Sequence, residues 1–253
     1  NDVIYLWHAA TDTVTEFGPV SENHGHICAV KWSPDATCLA VTYLDGTVER
    51  FDTETQTRVG GHHEHTGRVG AASWAWGCLT TGGRDGQVCL WDTRTLNVDT
   101  IGSGSCGEIC GLAWSPDELC LAVGANDNVA DVYERRYLRQ AAVSLRHHRA
   151  AVKALAWCPT QARVLVTGGG SGDRHLRIFD TVDGALLRQV DTENQVSSLI
   201  WNGESNELLS AHGYANHNLV VWDADTLTSK MQYTSHIARV LCTAVSPDGR
   251  IVC

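Results

Sequence analysis

The 253 residues allow either two ordinary domains or one all-β propeller or barrel, and the 43% that are apolar suffice for a core spread between stacked sheets. A net charge of −10 argues against nucleic acid as a partner, since that would ask for a basic stripe, and favours solubility and partners that present Lys or Arg. No apolar run approaches the roughly 20 residues of a membrane helix, so no membrane partner is expected.

In chain order, residues 1–7 (NDVIYLW) read as the third strand of a blade and Thr11 to Phe17 as its fourth. No charged and apolar leader precedes them, and the chain reads as a fragment. Complete blades follow, with strands a to d counted from the axis outward. Their a strands are His26 to Trp32, Arg68 to Trp74, Glu108 to Trp114, Ala151 to Trp157 and Gln195 to Trp201. Their b strands lie near Leu39 to Thr42, Leu79 to Thr81, Leu119 to Val123, Val164 to Thr167 and Glu207 to Ser210. Two further strands are expected at Arg239 to Val245 and Arg250 to Cys253.

A repeat underlies this order. Trp32, Trp74, Trp114, Trp157 and Trp201, with Val245 in the sixth equivalent position, are spaced by 42, 40, 43, 44 and 44 residues, the period of a propeller blade. The far end of each unit recurs at Leu6-Trp7, Phe51-Asp52, Trp91-Asp92, Tyr133-Glu134, Phe179-Asp180 and Trp222-Asp223, the Trp-Asp position of WD repeats. Pro34, Pro116, Pro159 and Pro247 fall just after first strands, where a missing donor interrupts no ladder. The expected fold is all-β: one WD-repeat β-propeller domain over residues 1–253, with five complete blades plus two half-blades of a seven-bladed frame. The termini either pair to complete a sixth blade, which would remove exposed edges, or leave a gap of about one blade. The gap is expected, because side chains packed for sevenfold geometry set the angle between blades.

In QVCLW, residues 87–91, Val88 and Leu90 share one face while Gln87, Cys89 and Trp91 share the other, so both faces suit burial between sheets. Leu44-Asp45-Gly46, Arg84-Asp85-Gly86 and Asp248-Gly249 supply hairpin turns. Cys28, Cys38, Cys89, Cys110, Cys120 and Cys242 fall at strand positions and read as buried free thiols, which points to a reducing compartment. Without a Cys-x-x-Cys pair, the ten cysteines form no zinc ligand series.

Three constellations invite a chemical reading. His65, Asp85, Thr81 and Trp91 match a nucleophile triad in residue type. In WD repeats, however, the same types form a buried hydrogen-bond network, and His148, Asp173 and Phe179 partly repeat the set. His62-His63-Glu64-His65 offers three imidazoles and a carboxylate, but no second cluster completes a tetrahedron, and no metal is expected. Gly168-Gly169-Gly170-Ser171-Gly172-Asp173 is glycine-rich, yet strand b precedes it and strand c follows. A phosphate loop needs a helix N-terminus there, so this is read as a long turn, and no cofactor is expected.

Several segments are more individual than generic WD repeats require. GANDN at Gly124 to Asn128, GGGSGDRHLRIFD at Gly168 to Asp180, NQVSSLIW at Asn194 to Trp201 and SAHGYANHNLVVWD at Ser210 to Asp223 resemble the Fizzy family of anaphase-promoting-complex activators. HTGRVGAASW at His65 to Trp74, AAVKALAWCP at Ala150 to Pro159 and HIARVL at His236 to Leu241 do so too. The resemblance implies a non-enzymatic receptor that holds short degrons and presents substrates to a ubiquitin ligase, in the nucleus and cytoplasm. Implied partners are anaphase-promoting complex subunits, degron-bearing substrates and checkpoint inhibitor proteins.

The family's receptor for the Lys-Glu-Asn degron maps onto Asn126, Asn128, Ser171, Gln195 and Arg239. In antiparallel blades the b–c and d–a loops share one face, which puts all five on one rim. Asn and Gln both donate and accept, Ser171 offers a hydroxyl, and Arg239 suits the degron carboxylate. Blander readings stand beside these: Asn126 and Asn128 also suit a tight turn, and Arg239 lies in a His-x-x-Arg-Val context like that of Arg68. Ser171 stands where the family has Thr. The family's acidic patch is represented only by Asn1 and Asp2, and its destruction-box groove lies between the incomplete blades. Its N-terminal docking box and C-terminal Ile-Arg tail fall outside these residues. The competing reading is a divergent WD-repeat interaction scaffold without degron binding.

Overall fold

The computed structural model describes residues 3–8, 11–18, 22–95, 97–101, 107–213, 216–246 and 252. These residues hold 22 β-strands and two short 3-10 turns, with no α-helix among them. The chain divides into two compact units, Asn1–Thr100 and Ile101–Cys253.

In the first unit, β1 (Ile4–His8) and β2 (Thr13–Phe17) pair as a two-stranded sheet. Next come four-stranded antiparallel sheets of β3 (Ile27–Trp32), β4 (Cys38–Tyr43), β5 (Val48–Asp52) and β6 (Arg58–His62), then of β7 (Val69–Ala75), β8 (Cys78–Gly83), β9 (Val88–Asp92) and β10 (Val98–Ile101). Leu39, Val41 and Tyr43 of β4 pack on Ile4 and Phe17, and the Phe17 ring meets Phe51 edge-on at 5.9 Å. The intervening residue, Ala40, packs instead with Val69, Ala72, Leu79 and Trp91 of the next sheet. Strand periodicity of two thus sends neighbours to opposite cores.

The second unit repeats the scheme with β11 (Ile109–Trp114), β12 (Cys120–Ala125), β13 (Ala130–Glu134) and β14 (Val143–Leu145); β15 (Val152–Trp157), β16 (Val164–Gly169), β17 (His175–Asp180) and β18 (Leu186–Asp191); and β19 (Val196–Asn202), β20 (Glu207–His212), β21 (Leu219–Asp223) and β22 (Ser229–Tyr233). Leu165 and Phe179 pack with Ala122 and Val132, whereas Val166 and Ile178 pack with Val196, Leu208 and Val220. Two of the strand-end tryptophans join successive sheets as well. The Trp74 indole donates to the Lys31 carbonyl at 3.2 Å, and that of Trp157 to the Ala113 carbonyl at 2.9 Å.

The Ser-Pro-Asp turns are built alike. The Ser33 hydroxyl donates to Asp35 and accepts from the Cys38 amide, while Ser115 does the same with Asp117 and Cys120. Gly46 and Gly86 hold φ of 102° and 76°, the left-handed region that their turns require.

Four expectations need correction or restriction. Arg239 to Val245 forms no strand: its only ladder contact is an isolated bridge between Val245 and Val252. Its polar groups are engaged by the neighbouring sheet instead, with the Val240 amide on the His212 carbonyl and Thr243 on Ser198. Asn1, Asp2, Pro247, the Asp248-Gly249 turn, Arg250, Ile251 and Cys253 lie outside the described residues, and with them the question of pairing or a gap at the termini. The cysteines are free at Cys28, Cys38, Cys78, Cys89, Cys110, Cys120, Cys158 and Cys242, but Cys242 is exposed and outside any strand, and Cys28, Cys38 and Cys110 are half-buried.

The fourth concerns the histidine network. His65 is buried, its Nδ1 3.2 Å from Asp85 Oδ1 and its Nε2 2.9 Å from the Thr81 hydroxyl. Asp85 also accepts from the Thr66 and Gln87 amides, so one carboxylate joins the loop before β7 to the β8–β9 turn. Trp91 is buried but outside this network, for its Nε1 meets no acceptor among the described residues. The indole is held by its ring: the Arg50 guanidinium lies 4.7 Å over it and His62 meets it edge-on at 4.2 Å.

In the second unit, His148 Nδ1 lies 2.6 Å from Asp173, and its Nε2 lies 2.6 Å from the Thr167 hydroxyl. Here buried Arg177 adds two bonds to Asp173, of 2.6 and 3.2 Å, a bidentate pair. A third version, with no carboxylate, links His212 to the Ser210 hydroxyl and that to the Trp222 indole, each at 2.7 Å.

Losing one carboxylate should therefore cost different amounts in the two networks. Asp173→Ala leaves a buried guanidinium unpaired and should lower unfolding free energy by about 3–5 kcal/mol. Asp85→Ala strands hydrogen-bond donors only, an expected loss of about 1–3 kcal/mol. Urea melts of the two variants check this order.

Burial lowers the pKa of His62, His148 and His212 from an ordinary 6.5 to about 4. Their neutral forms therefore contribute in full above pH 6.5, and that contribution is lost as pH falls towards 4, because the unfolded chain takes up protons that the fold resists. Asp85 and Asp173 are also desolvated, but hydrogen bonds to each outweigh this and hold them below 3.8, so their losses come at lower pH. The melting temperature should drop between about pH 6.5 and about pH 5, where carboxylates are still ionised, and His148→Asn should shallow that slope while lowering the melting point at neutral pH.

Candidate functional site

The five polar positions singled out in the sequence all lie in the second unit. Asn126 and Asn128 occupy the β12–β13 turn, closed by the Ala125 amide on the Val129 carbonyl at 3.1 Å. Asn128 takes φ of 73°, a conformation that Asn tolerates, while Asn126 is exposed. The Asn126 amide donates to the Glu108 carbonyl at 2.9 Å, tying the turn to the residue before β11. A Cβ at Gly107 would lie 2.0 Å from Asn126 Oδ1, so a larger residue there would turn the Asn126 side chain aside.

Ser171 is exposed in the β16–β17 turn, whose Gly170 amide donates to the Ala151 carbonyl at 2.9 Å. The glycine run leads into β17 rather than a helix, which removes the dipole and amide array of a phosphate loop. Gln195 is half-buried between β18 and β19, and its carbonyl accepts from the Gly213 amide at 3.1 Å. Arg239 is exposed, one residue before the Val240 amide that donates to His212.

Close backbone contacts put these loops at one end of the unit. β11 packs beside β15, and β15 beside β19. Gly124 near the end of β12 abuts the Val152 carbonyl at the start of β15, and Gly168 near the end of β16 abuts Val196 at the start of β19. The b–c turns therefore meet the d–a loops, and Asn126, Asn128, Ser171, Gln195 and Arg239 face the same end.

Chemically the rim offers amides that donate and accept, a hydroxyl and one guanidinium, a set suited to holding a polar peptide. The triad-like residues are elsewhere: His65, Thr81 and Asp85 belong to the first unit and are consumed by their own network. The His62–His65 run diverges, with His62 on Trp91, His63 3.0 Å from the Thr47 hydroxyl and His65 turned inward. Among the described residues no group of three or more His, Cys, Asp or Glu could hold a metal. Sequence reasoning missed Arg177, which locks the turn carrying Ser171 through Asp173, and also Lys153, Ser197 and Ser198, which contact residues 240–243. Only register identifies the last three.

The family model for the CDC20/Fizzy WD40 domain matches residues 1–253. The chain is 39% identical over 257 residues to "Cell division cycle 20.1, cofactor of APC complex" of Arabidopsis thaliana, which covers 97% of this chain and 55% of that protein. It is 39% identical to "WD repeat-containing protein slp1" of Schizosaccharomyces pombe, covering 98% of this chain and 51% of that one. The chain thus spans about half the length of the curated relatives it matches. Among solved structures, a chain of the crystal structure of the mitotic checkpoint complex superposes with a TM-score of 0.94 at 38% identity, covering 99% of this chain and 80% of that one. At that similarity the four-stranded sheets are the blades of a WD-repeat β-propeller. The chain belongs to the CDC20/Fizzy WD40 domain family.

Proposed function

We propose that this chain is the substrate-recognition part of an activator of the anaphase-promoting ubiquitin ligase, binding Lys-Glu-Asn and destruction-box degrons in cell-cycle control. The observation that carries the reading is the set of five polar side chains at one end of the second unit, none of which the packing of the blades requires. Two exposed positions come from b–c turns and one follows a d–a loop, so they are presented by the ends of a rigid scaffold. Relatives named as cofactors of the APC complex support the reading.

Asn126, Asn128, Ser171 and Gln195 exchange hydrogen bonds with the degron Asn and backbone, and Arg239 pairs with the degron Glu. Recognition makes and breaks no covalent bond, so the chain acts as an adaptor and not as an enzyme, with no cofactor. Its partners are subunits of the anaphase-promoting complex, degron-bearing substrates and checkpoint inhibitor proteins, met in the nucleus and cytoplasm. The family match over the whole chain supports one propeller domain across residues 1–253.

A labelled Lys-Glu-Asn peptide should bind the chain in a titration while its Ala-Ala-Ala control does not; equal binding, or none by a folded sample, would leave a scaffold without degron recognition. Arg239→Ala should weaken the peptide about tenfold or more with the melting temperature unchanged, since a charge-assisted bond is lost from an exposed side chain. Arg239→Lys should restore only part of the affinity, for lack of the planar fork.

A further inference from the structure

In every complete blade the first two strands pair with a register shift, at Ile27/Ala29, Val69/Ala71, Ile109/Gly111, Val152/Ala154 and Val196/Ser198. The extra residues are Cys28, Gly70, Cys110, Lys153 and Ser197. Such a bulge takes one residue out of the ladder and re-aims its side chain. Cys28 and Cys110 fold back onto carbonyls two residues earlier, those of His26 and Glu108. Lys153 and Ser197 do otherwise, for both reach the same segment of chain beyond β22. Lys153 Nζ donates to the Leu241 carbonyl at 3.4 Å, and the Ser197 hydroxyl is shared between the Val240 carbonyl and, at 3.0 Å, the Ala211 carbonyl of its own sheet.

We propose that Lys153 and Ser197 are positioning residues for Arg239, fixing the backbone from which its guanidinium is presented; this rests on the peptide-binding reading above. The segment from Arg239 to Ala244 has no strand ladder to define its path. Its path is set by side chains of the inner strands and one backbone bond. Val240, next to Arg239, has both backbone groups held, its amide by the His212 carbonyl and its carbonyl by Ser197. Leu241 is held by Lys153, and Thr243 by Ser198, whose hydroxyl lies 2.8 Å from the threonine hydroxyl. Ser197 is buried, so it acts on a peptide through the backbone it holds and not by direct contact. Arg239 has a long, flexible stem, and a fixed Cα is what limits the volume its charge explores.

The test combines peptide titration with amide hydrogen exchange on the 253-residue chain. Ser197→Ala and Lys153→Met should each weaken the Lys-Glu-Asn peptide by about two- to tenfold and speed exchange at Val240 and Thr243, whose amides donate to the His212 carbonyl and the Ser198 hydroxyl. Ser197→Thr and Lys153→Arg, which keep the donors, should bind close to wild type and guard against a mere folding defect. In an Arg239→Ala background, Ser197→Ala and Lys153→Met should cost nothing further, because the residue they position is gone. Full additivity in that background would overturn the proposal, by showing that these side chains act on the peptide independently of Arg239. Unchanged exchange and affinity in both single variants would overturn it as well. Faster exchange together with wild-type binding by Arg239→Ala would instead refute the peptide site and leave the backbone clamp standing.

Discussion

Leu165 and Val166 are adjacent in one strand and are buried in different cores, because their sheet has another sheet on either side. Leu39 and Ala40 do the same in the first unit. This double-sided burial is the constraint on which the rest of each unit depends. A strand such as β12, buried at every position from Cys120 to Ala125, cannot carry a charged or catalytic side chain without loss of packing. Chemistry that varies is therefore left to the turns at strand ends, and the interior repeats.

Buried polar groups inside the sheets recur as hydrogen-bonded networks, and the three versions show how much that chemistry can change around one geometry. The first joins His65 to Asp85 and Thr81, the second adds Arg177, and the third replaces the carboxylate with the Ser210 hydroxyl and the Trp222 indole. Each ties loops or strands of one blade together. The Arg177 version stands beside Ser171, so the turn that presents this residue is also one held by a buried, bidentate charge pair. A rigid turn loses less conformational freedom on gripping a ligand, which is the physical link between the buried network and the rim.

The stretch that carries Arg239 follows another logic. Its neighbours along the chain are exposed or half-buried and outside regular strands, so its register comes from side chains of β15, β19 and their bulges rather than from a ladder. Four of the five rim residues are thus set by turns and loops anchored on sheets, and the fifth by a clamp of individual hydrogen bonds.

How much of this was legible beforehand follows from the range of the forces involved. Period, turn residues and alternation are local, and they sufficed to place the blades, with strand limits within a residue or two at β3, β7, β11, β15 and β19. That Asn126, Asn128, Ser171, Gln195 and Arg239 share one end was legible through the rule that antiparallel connections alternate between two ends. Local pattern failed where partners are distant in sequence. Arg239 to Val245 has a strand-like composition, yet its backbone groups find partners on His212, Ser197 and Lys153 instead of a ladder. Trp91 has the residue type for the histidine network, yet Arg50 and His62 hold its ring and its Nε1 stays outside. Residue types and their spacing determined which elements form and which ends they expose. Only the tertiary structure decided which donor meets which acceptor, because a bulge of one residue or a neighbouring cation redirects a side chain by more than the length of a hydrogen bond.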